Sequence, residues 1–435
     1  MFAKCSSLTT APALPATTLT ENCYANMFAD CSSLTIAPAL PATTLASNCY
    51  ESMFYGCSSL TEAPALPATM LDGNCYANMF AGCSSLTAAP ALPATNLHPH
   101  CYLNMFNGCS KLNSITCLAT TFSETNCTEN WISGVAATGT FTKAASADWS
   151  GKTGSDSIPS GWRTFSVVPG EFTVNATGGK VRFSAGNLQA TTNNFGTTWT
   201  WAFATNQWDY IGNAVANTSI NGNGTVSANG TVDLFGWVGA SSSWTGAAQY
   251  GISNETNTNS ADTYGNEIGE ALKSDWGNNI DSSWRTLTID EWQYLFNTRA
   301  SGSTVNGTSN ARYTYATING VNGIILFPDG VTIASGEATQ WGAINGTSAW
   351  GTQCTSDQWT ALVAKGCVFL PAAGDRINGT SISSAGSQGL YWSSTSSTTD
   401  SNPAYCIKFG SNSLNTNEFY YRFYGLSVRL VRDAN

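Results

Sequence analysis

Apolar positions in the first 128 residues recur every 26 residues. Leu8, Leu34, Leu60, Leu86 and Leu112 form one column, and Leu14, Leu40, Leu66 and Leu92 another. Met1, Met27, Met53, Met79 and Met105 keep the same step, each followed by Phe. A fixed period of this length means one supersecondary unit stacked on copies of itself. The segment SSLTxAPAL predicts a short strand that Pro12, Pro38, Pro64 and Pro90 cut off, because proline cannot donate to a ladder. The segment around NCYxNMF predicts a helical turn that crosses back. The fifth unit loses its prolines after Cys109 and carries Trp131 in place of the repeated Met, which is how capping looks. A right-handed solenoid over residues 1–128 is therefore expected, with strands about 4.7–4.9 Å apart.

The pattern then changes twice. Residues 129–168 are rich in Gly, Ser, Thr and Ala, punctuated by Trp131, Trp149 and Trp162, and read as a capping or connector segment. Residues 169–435 read as a domain of strands and turns with two helices. Phe172–Asn175 and Lys180–Phe183 alternate as strands do. Asn-Gly turns are expected at Asn221, Asn223, Asn229, Asn306, Asn319, Asn322, Asn345 and Asn378, since both residues tolerate positive φ. Thr288 with Glu291, and Thr355 with Gln358, predict capping boxes. Behind them run the apolar stripes Trp292, Leu295, Phe296 and Trp359, Leu362, Val363, the latter stopped at Gly366. Cys367–Leu370, Tyr405–Phe409 and Leu426–Val431 read as buried strands.

Composition narrows the function. Only 10% of the 435 residues are charged, and the formal net charge is -10. An acidic surface repels phosphate backbones, so nucleic acid is a poor partner. No apolar run is long enough to span a bilayer. Met1 falls inside a repeat, so the chain reads as a fragment, with an export signal or anchor expected upstream. Polarity carried by Ser, Thr, Asn and Gly suits a secreted or surface-exposed protein.

The cysteines also keep the period: Cys5, Cys31, Cys57, Cys83 and Cys109 in one series, Cys23, Cys49, Cys75, Cys101 and Cys127 in the other. They allow a disulfide within each unit or two buried columns of small apolar side chains; the columns are favoured. Zinc is not indicated, because CxxC pairs are lacking and the two histidines, His98 and His100, share one loop.

The MF-x-x-CSSLT core resembles the cysteine-containing leucine-rich repeats of bacterial surface proteins, the BspA-like family, over residues 1–128. The family's usual repeat is slightly shorter and lacks the APALPAT insert. WRTLTIDEWQYLFNTR (Trp284 to Arg299), GLYWSS (Gly389 to Ser394) and YGLSVRLV (Tyr424 to Val431) resemble the formylglycine-generating-enzyme subgroup of C-type-lectin folds. The same endings are similar to variable proteins diversified by bacterial retroelements and to paralogous surface proteins of gut Bacteroidales. FSAGNLQ (Phe183 to Gln189), QWDYIGN (Gln207 to Asn213), DLFGWV (Asp233 to Val238) and VFLPAAGDR (Val368 to Arg376) fit the same family. The resemblance implies an α+β chain: a leucine-rich-repeat solenoid followed by a C-type-lectin-like mixed domain that binds a ligand.

No catalytic residue is expected. A nucleophile needs a base in reach, and residues 101–435 contain no histidine. Cys354, Cys367 and Cys406 do not reproduce the cysteine pair of the oxidase members, and neither calcium-lectin motif is present. No metal and no cofactor are expected. The ligand face is expected within residues 395–424, between two segments that read as structural, and its Ser, Thr, Asn, Tyr and Phe suit an adaptable contact surface. The same set is what randomised Asn codons yield in retroelement-diversified relatives. The residues singled out are Asn412, Asn415, Asn417, Phe419, Tyr420, Tyr421 and Phe423, with Thr395, Ser397 and Ser401 behind them. The expected role is ligand binding or adhesion at a cell surface or outside the cell, to an unknown protein or glycan. The alternatives are a receptor-binding part of a phage tail fibre and, further off, an enzyme on the same fold.

Overall fold

The computed structural model describes residues 2–122, 124, 126–220, 224–253, 264–377 and 381–434. They form two compact units, 2–166 and 167–434. The expected α+β fold class with a leucine-rich-repeat solenoid is corrected here. About 9% of the chain is helical, and the rest of its regular structure is strands in small sheets. The first unit has no α-helix among its described residues, and its earliest strand begins only at Ser114.

What replaces the predicted helical turn is a run of left-handed turns. Asn74, Asn78 and Gly82 have φ of 55°, 54° and 78°, and Asn22, Asn26, Asn48, Asn104 and Gly108 follow the same four-residue spacing. A left-handed residue every fourth position forbids a right-handed helix, and Asn and Gly are the residues that accept it at little cost. The amides then alternate in direction. Cys75, Ala77, Met79 and Ala81 donate locally, three residues back, while Tyr76, Asn78, Phe80 and Gly82 donate 25 residues forward to Cys101, Leu103, Met105 and Asn107. These rungs place Phe2, Phe28, Phe54, Phe80 and Phe106 in a stack with ring centroids 5.6–5.7 Å apart.

The predicted strands fail for a reason visible in the sequence. The segments carrying Pro12 to Pro93 make only isolated bridges, such as Thr10 to Ile36 and Thr44 to Met70. In the fifth unit Thr116 and Ala119 stand where the prolines were, and a continuous strand forms: β1 (Ser114–Cys117), parallel to β2 (Gly139–Ala144) and in one sheet with β3 (Trp162–Val167). Trp131 stacks on Trp149 at 5.5 Å over the end of the aromatic column.

All fourteen cysteines are free thiols, and all but Cys5 and Cys23 are buried. Cys31, Cys57, Cys83 and Cys109 each donate to the carbonyl of a Phe 29 residues earlier, at 3.0–3.2 Å. Burial pushes the Cys57 and Cys109 thiols up to about 12.

Three of the sheets in the second unit supply most of its cores. Their strands are β4 (Phe172–Thr173), β5 (Lys180–Phe183), β6 (Trp284–Thr286), β7 (Tyr313–Ile318), β8 (Val321–Leu326), β9 (Thr352–Cys354), β10 (Val368–Pro371), β11 (Gln388–Ser396), β12 (Pro403–Gly410), β13 (Ser413–Tyr421) and β14 (Leu430–Asp433). They pair in the orders β4-β5-β14-β6, β9-β7-β8-β10 and β11-β12-β13. One core takes Phe183, Tyr315, Leu370, Ile407 and Phe409 from these sheets, with Trp292, Leu295 and Phe296 from helix α1 (Ile289–Gln293) and the π-turn after it. A second core uses the other face of β7, β8 and β10 against Trp359 and Leu362 of α2 (Ser356–Ala364). Both capping boxes form, at Thr288/Glu291 and Thr355/Gln358.

Asn306, Asn319 and Asn345 adopt positive φ. Asn322 instead lies inside β8, where its amide donates to the Gly386 carbonyl at 3.0 Å. Asn221, Asn223 and Asn378 lie outside the described residues. Among those residues no helix is long and apolar enough to cross a membrane.

Candidate ligand-binding site

The β12–β13 hairpin carries most of the predicted face, and a bulge divides it. Cys406 pairs with Glu418 and Lys408 with Asn415, so one residue of β12 faces two of β13, Thr416 and Asn417. Directly opposed residues share a sheet face. Leu414 therefore lies on the core face with Phe409, and beyond the bulge that face passes to Phe419 and Tyr421, opposite Tyr405 and Pro403. Asn415 falls on the other face, beside Lys408 and Glu418. Its amide donates to Glu418 Oε2 at 3.3 Å.

The bulge is held from outside the sheet. Gln293 donates to Asn417 Oδ1 at 3.0 Å, and Asn297 donates to Thr416 Oγ1 at 2.9 Å. Asn417 is thus part of the contact to the helix. Asn412 is exposed in the hairpin turn, nine residues before Tyr421 along the strand. At about 3.3 Å per residue that is roughly 30 Å away, outside any compact site with Tyr421.

Two of the residues expected behind the face bond within the fold. Ser397 is 4% exposed, and its hydroxyl accepts the amides of Thr399 and Asp400, which folds the loop. Thr395 Oγ1 accepts the Ile289 amide at the start of α1. Ser401 is half-buried in the loop before β12.

The residues that do converge are aromatic. Phe419 and Tyr421 are 58% and 51% exposed, among the few large apolar side chains on the surface. Tyr420 and Phe423 are half-buried beside them. Tyr421 stacks on Phe423 at 5.4 Å, and Tyr424 meets Phe423 edge-on at 5.0 Å. Together with Asp400, Pro403, Tyr420 and Tyr424, Phe419 and Tyr421 line a cleft of about 260 Å³. Asp400, Pro403 and Tyr424 lay inside the predicted stretch but were not singled out. Pairing Pro403 with Tyr421 across the hairpin is what brings them in.

Buried charge fixes this cluster from below. Arg422, between Tyr421 and Phe423, is fully buried, ion-paired to Glu270 and 4.8 Å over the Trp237 ring. Its amide donates to the Asn402 carbonyl at 3.0 Å, and its carbonyl accepts from the Trp237 amide at 2.8 Å. Burial acts to raise the Glu270 carboxyl, but hydrogen bonds from the Ser241 amide and Arg422 hold it below its ordinary value.

On the other face, Lys408 Nζ donates to Tyr420 Oη at 2.8 Å, which raises the ammonium above its usual range. Asp375 is buried, and burial pushes its carboxyl up to about 6, opposed by the nearby Lys408 charge. The cleft is lined by four aromatic residues, a proline and one aspartate, residue types suited to holding a ligand. Among the described residues no group of three His, Cys, Asp or Glu could hold a metal ion. No known family model, curated protein or solved structure matches this chain.

Proposed function

We propose that this chain is a ligand-binding or adhesion protein acting at a cell surface or outside the cell, with the aromatic cleft between Asp400 and Tyr424 as its contact site. One observation carries the reading. Phe419 and Tyr421 are more than half exposed at the rim of a cleft, while the residue between Tyr421 and Phe423 is anchored by a buried ion pair. Exposed aromatics cost solubility, so their clustering on a rigid base supports a binding role. Tyrosine suits that role because it gives a large contact area with two rotatable bonds.

The test is binding of the labelled chain to a glycan array and to intact bacterial and epithelial cells. The wild type should bind a restricted subset, and Phe419→Ala with Tyr421→Ala should reduce that binding at least about tenfold. Binding that is unchanged in the double variant, or absent across glycans and cells alike, would overturn the reading.

A further inference from the structure

We infer that the Asp400–Tyr424 cleft takes a quaternary or methylated ammonium group, so that the ligand carries a cationic head group of the choline type. This rests on the binding role just described and names its ligand class.

The lining residues are of the types such a group needs: Phe419, Tyr420, Tyr421 and Tyr424, with Pro403 and Asp400, and no cationic residue among them. The negative face of an aromatic ring attracts a cation whose methyl groups also bury apolar surface. Ring orientation separates this from a flat stacking platform. Tyr424 meets Tyr421 at 70° with centroids 6.1 Å apart, and meets Tyr420 at 57° with centroids 5.6 Å apart. Rings in different planes turn their faces in different directions, as the walls of a box do, whereas a neutral sugar ring stacks on one exposed plane.

The carboxylate is placed in advance. Asp400 Oδ1 accepts the Asn402 amide at 2.9 Å and the Asn402 side chain at 3.3 Å, and the Asp400 amide donates to Ser397 Oγ at 3.1 Å. Ser397 thereby has a use in the site although it is buried: it shapes the loop that presents Asp400.

Nearby cations are already engaged. Lys408 bonds the Tyr420 hydroxyl and lies 5.3 Å from that ring's centroid, and Arg422 is paired with Glu270. Glu418 and Asp375 both act on Lys408 electrostatically.

The experiment titrates the full chain by calorimetry with choline and with its neutral carbon isostere, 3,3-dimethylbutan-1-ol. Choline should bind saturably, with the isostere at least about tenfold weaker, because shape is kept and charge removed. Asp400→Asn and Tyr421→Leu should each weaken choline about tenfold, and Tyr421→Phe should not. Circular dichroism of each variant verifies folding. Equal affinity for choline and the isostere would overturn the inference, as would saturation by a neutral methyl glycoside with none by choline in the millimolar range. If choline fails to bind but cell binding still depends on Phe419 and Tyr421, the ammonium inference falls and the adhesion role stands. If choline binds as expected and no cell or glycan does, the adhesion role falls and the ammonium site stands.

Discussion

Arg422 and Glu270 form an ion pair inside the second unit, 0% and 3% exposed, directly beneath the aromatic residues that flank Arg422 in the chain. Removing one partner leaves an uncompensated buried charge, which costs far more than the pair contributes. Glu270→Gln should therefore destabilise the second unit by roughly 3–5 kcal/mol. Urea denaturation followed by tryptophan fluorescence measures this. An effect below about 1 kcal/mol would mean that water reaches the guanidinium.

Phe419→Ala and Tyr421→Ala are expected to behave oppositely. Both side chains are more than half exposed. Their loss should change stability by no more than about 0.5 kcal/mol while ligand binding falls. Thermal unfolding of the double variant separates the two effects, and a large drop in midpoint would show that these rings serve folding.

Asp375 supplies a pH signature. Its carboxyl titrates at about 6 in the folded chain, above the ordinary aspartate value, because it is buried. A raised folded value means that the unfolded chain loses its proton first as pH rises. The associated stability is present below about pH 4 and lost as pH rises through 6. Asp375→Asn should remove that slope, so the variant gains on the wild type between pH 4 and 7. Denaturation midpoints across this range check the difference, and parallel curves would contradict it.

The thiols should divide by exposure. Cys5 and Cys23 are exposed and the other twelve cysteines are buried. A thiolate is the reactive form, and burial raises most of the buried thiols. Ellman's reagent at pH 8 should titrate two thiols in the native chain and all fourteen after denaturation. A total below fourteen in the denatured, unreduced chain would show disulfides instead.

Asn74 tests the turn ladder. Its φ of 55° is left-handed. Asn74→Gly should be close to neutral and Asn74→Val should cost about 1–2 kcal/mol, because a β-branched residue resists that conformation. Equal stability of the two variants would mean that the turns are not what holds the rungs.

The 26-residue period was legible in the sequence by itself, and so were the repeated leucine and cysteine positions, because identical side chains at a fixed step must meet identical neighbours. Local chemistry was legible for the same kind of reason: the Thr288 and Thr355 capping boxes and the turns at Asn306, Asn319 and Asn345 depend on residues within four positions of each other. A helical turn and a short strand were expected in each repeat, and in the first four repeats neither forms. The repeated Asn and Gly drive the backbone left-handed, and the prolines remove ladder donors, so the rungs hold together by alternate amides reaching 25 residues ahead. The candidate face was located only to a stretch of chain. Composition placed Asn412, Asn415 and Asn417 with Phe419 and Tyr421, but the bulge at Thr416 and Asn417 shifts the cross-strand pairing between them. A bulge answers to the helix residues that grip it, Gln293 and Asn297, more than a hundred positions away. The anchoring of Arg422 by Glu270 and the meeting of Asp400 with Tyr424 are likewise long-range or cross-strand contacts, which only tertiary packing decides.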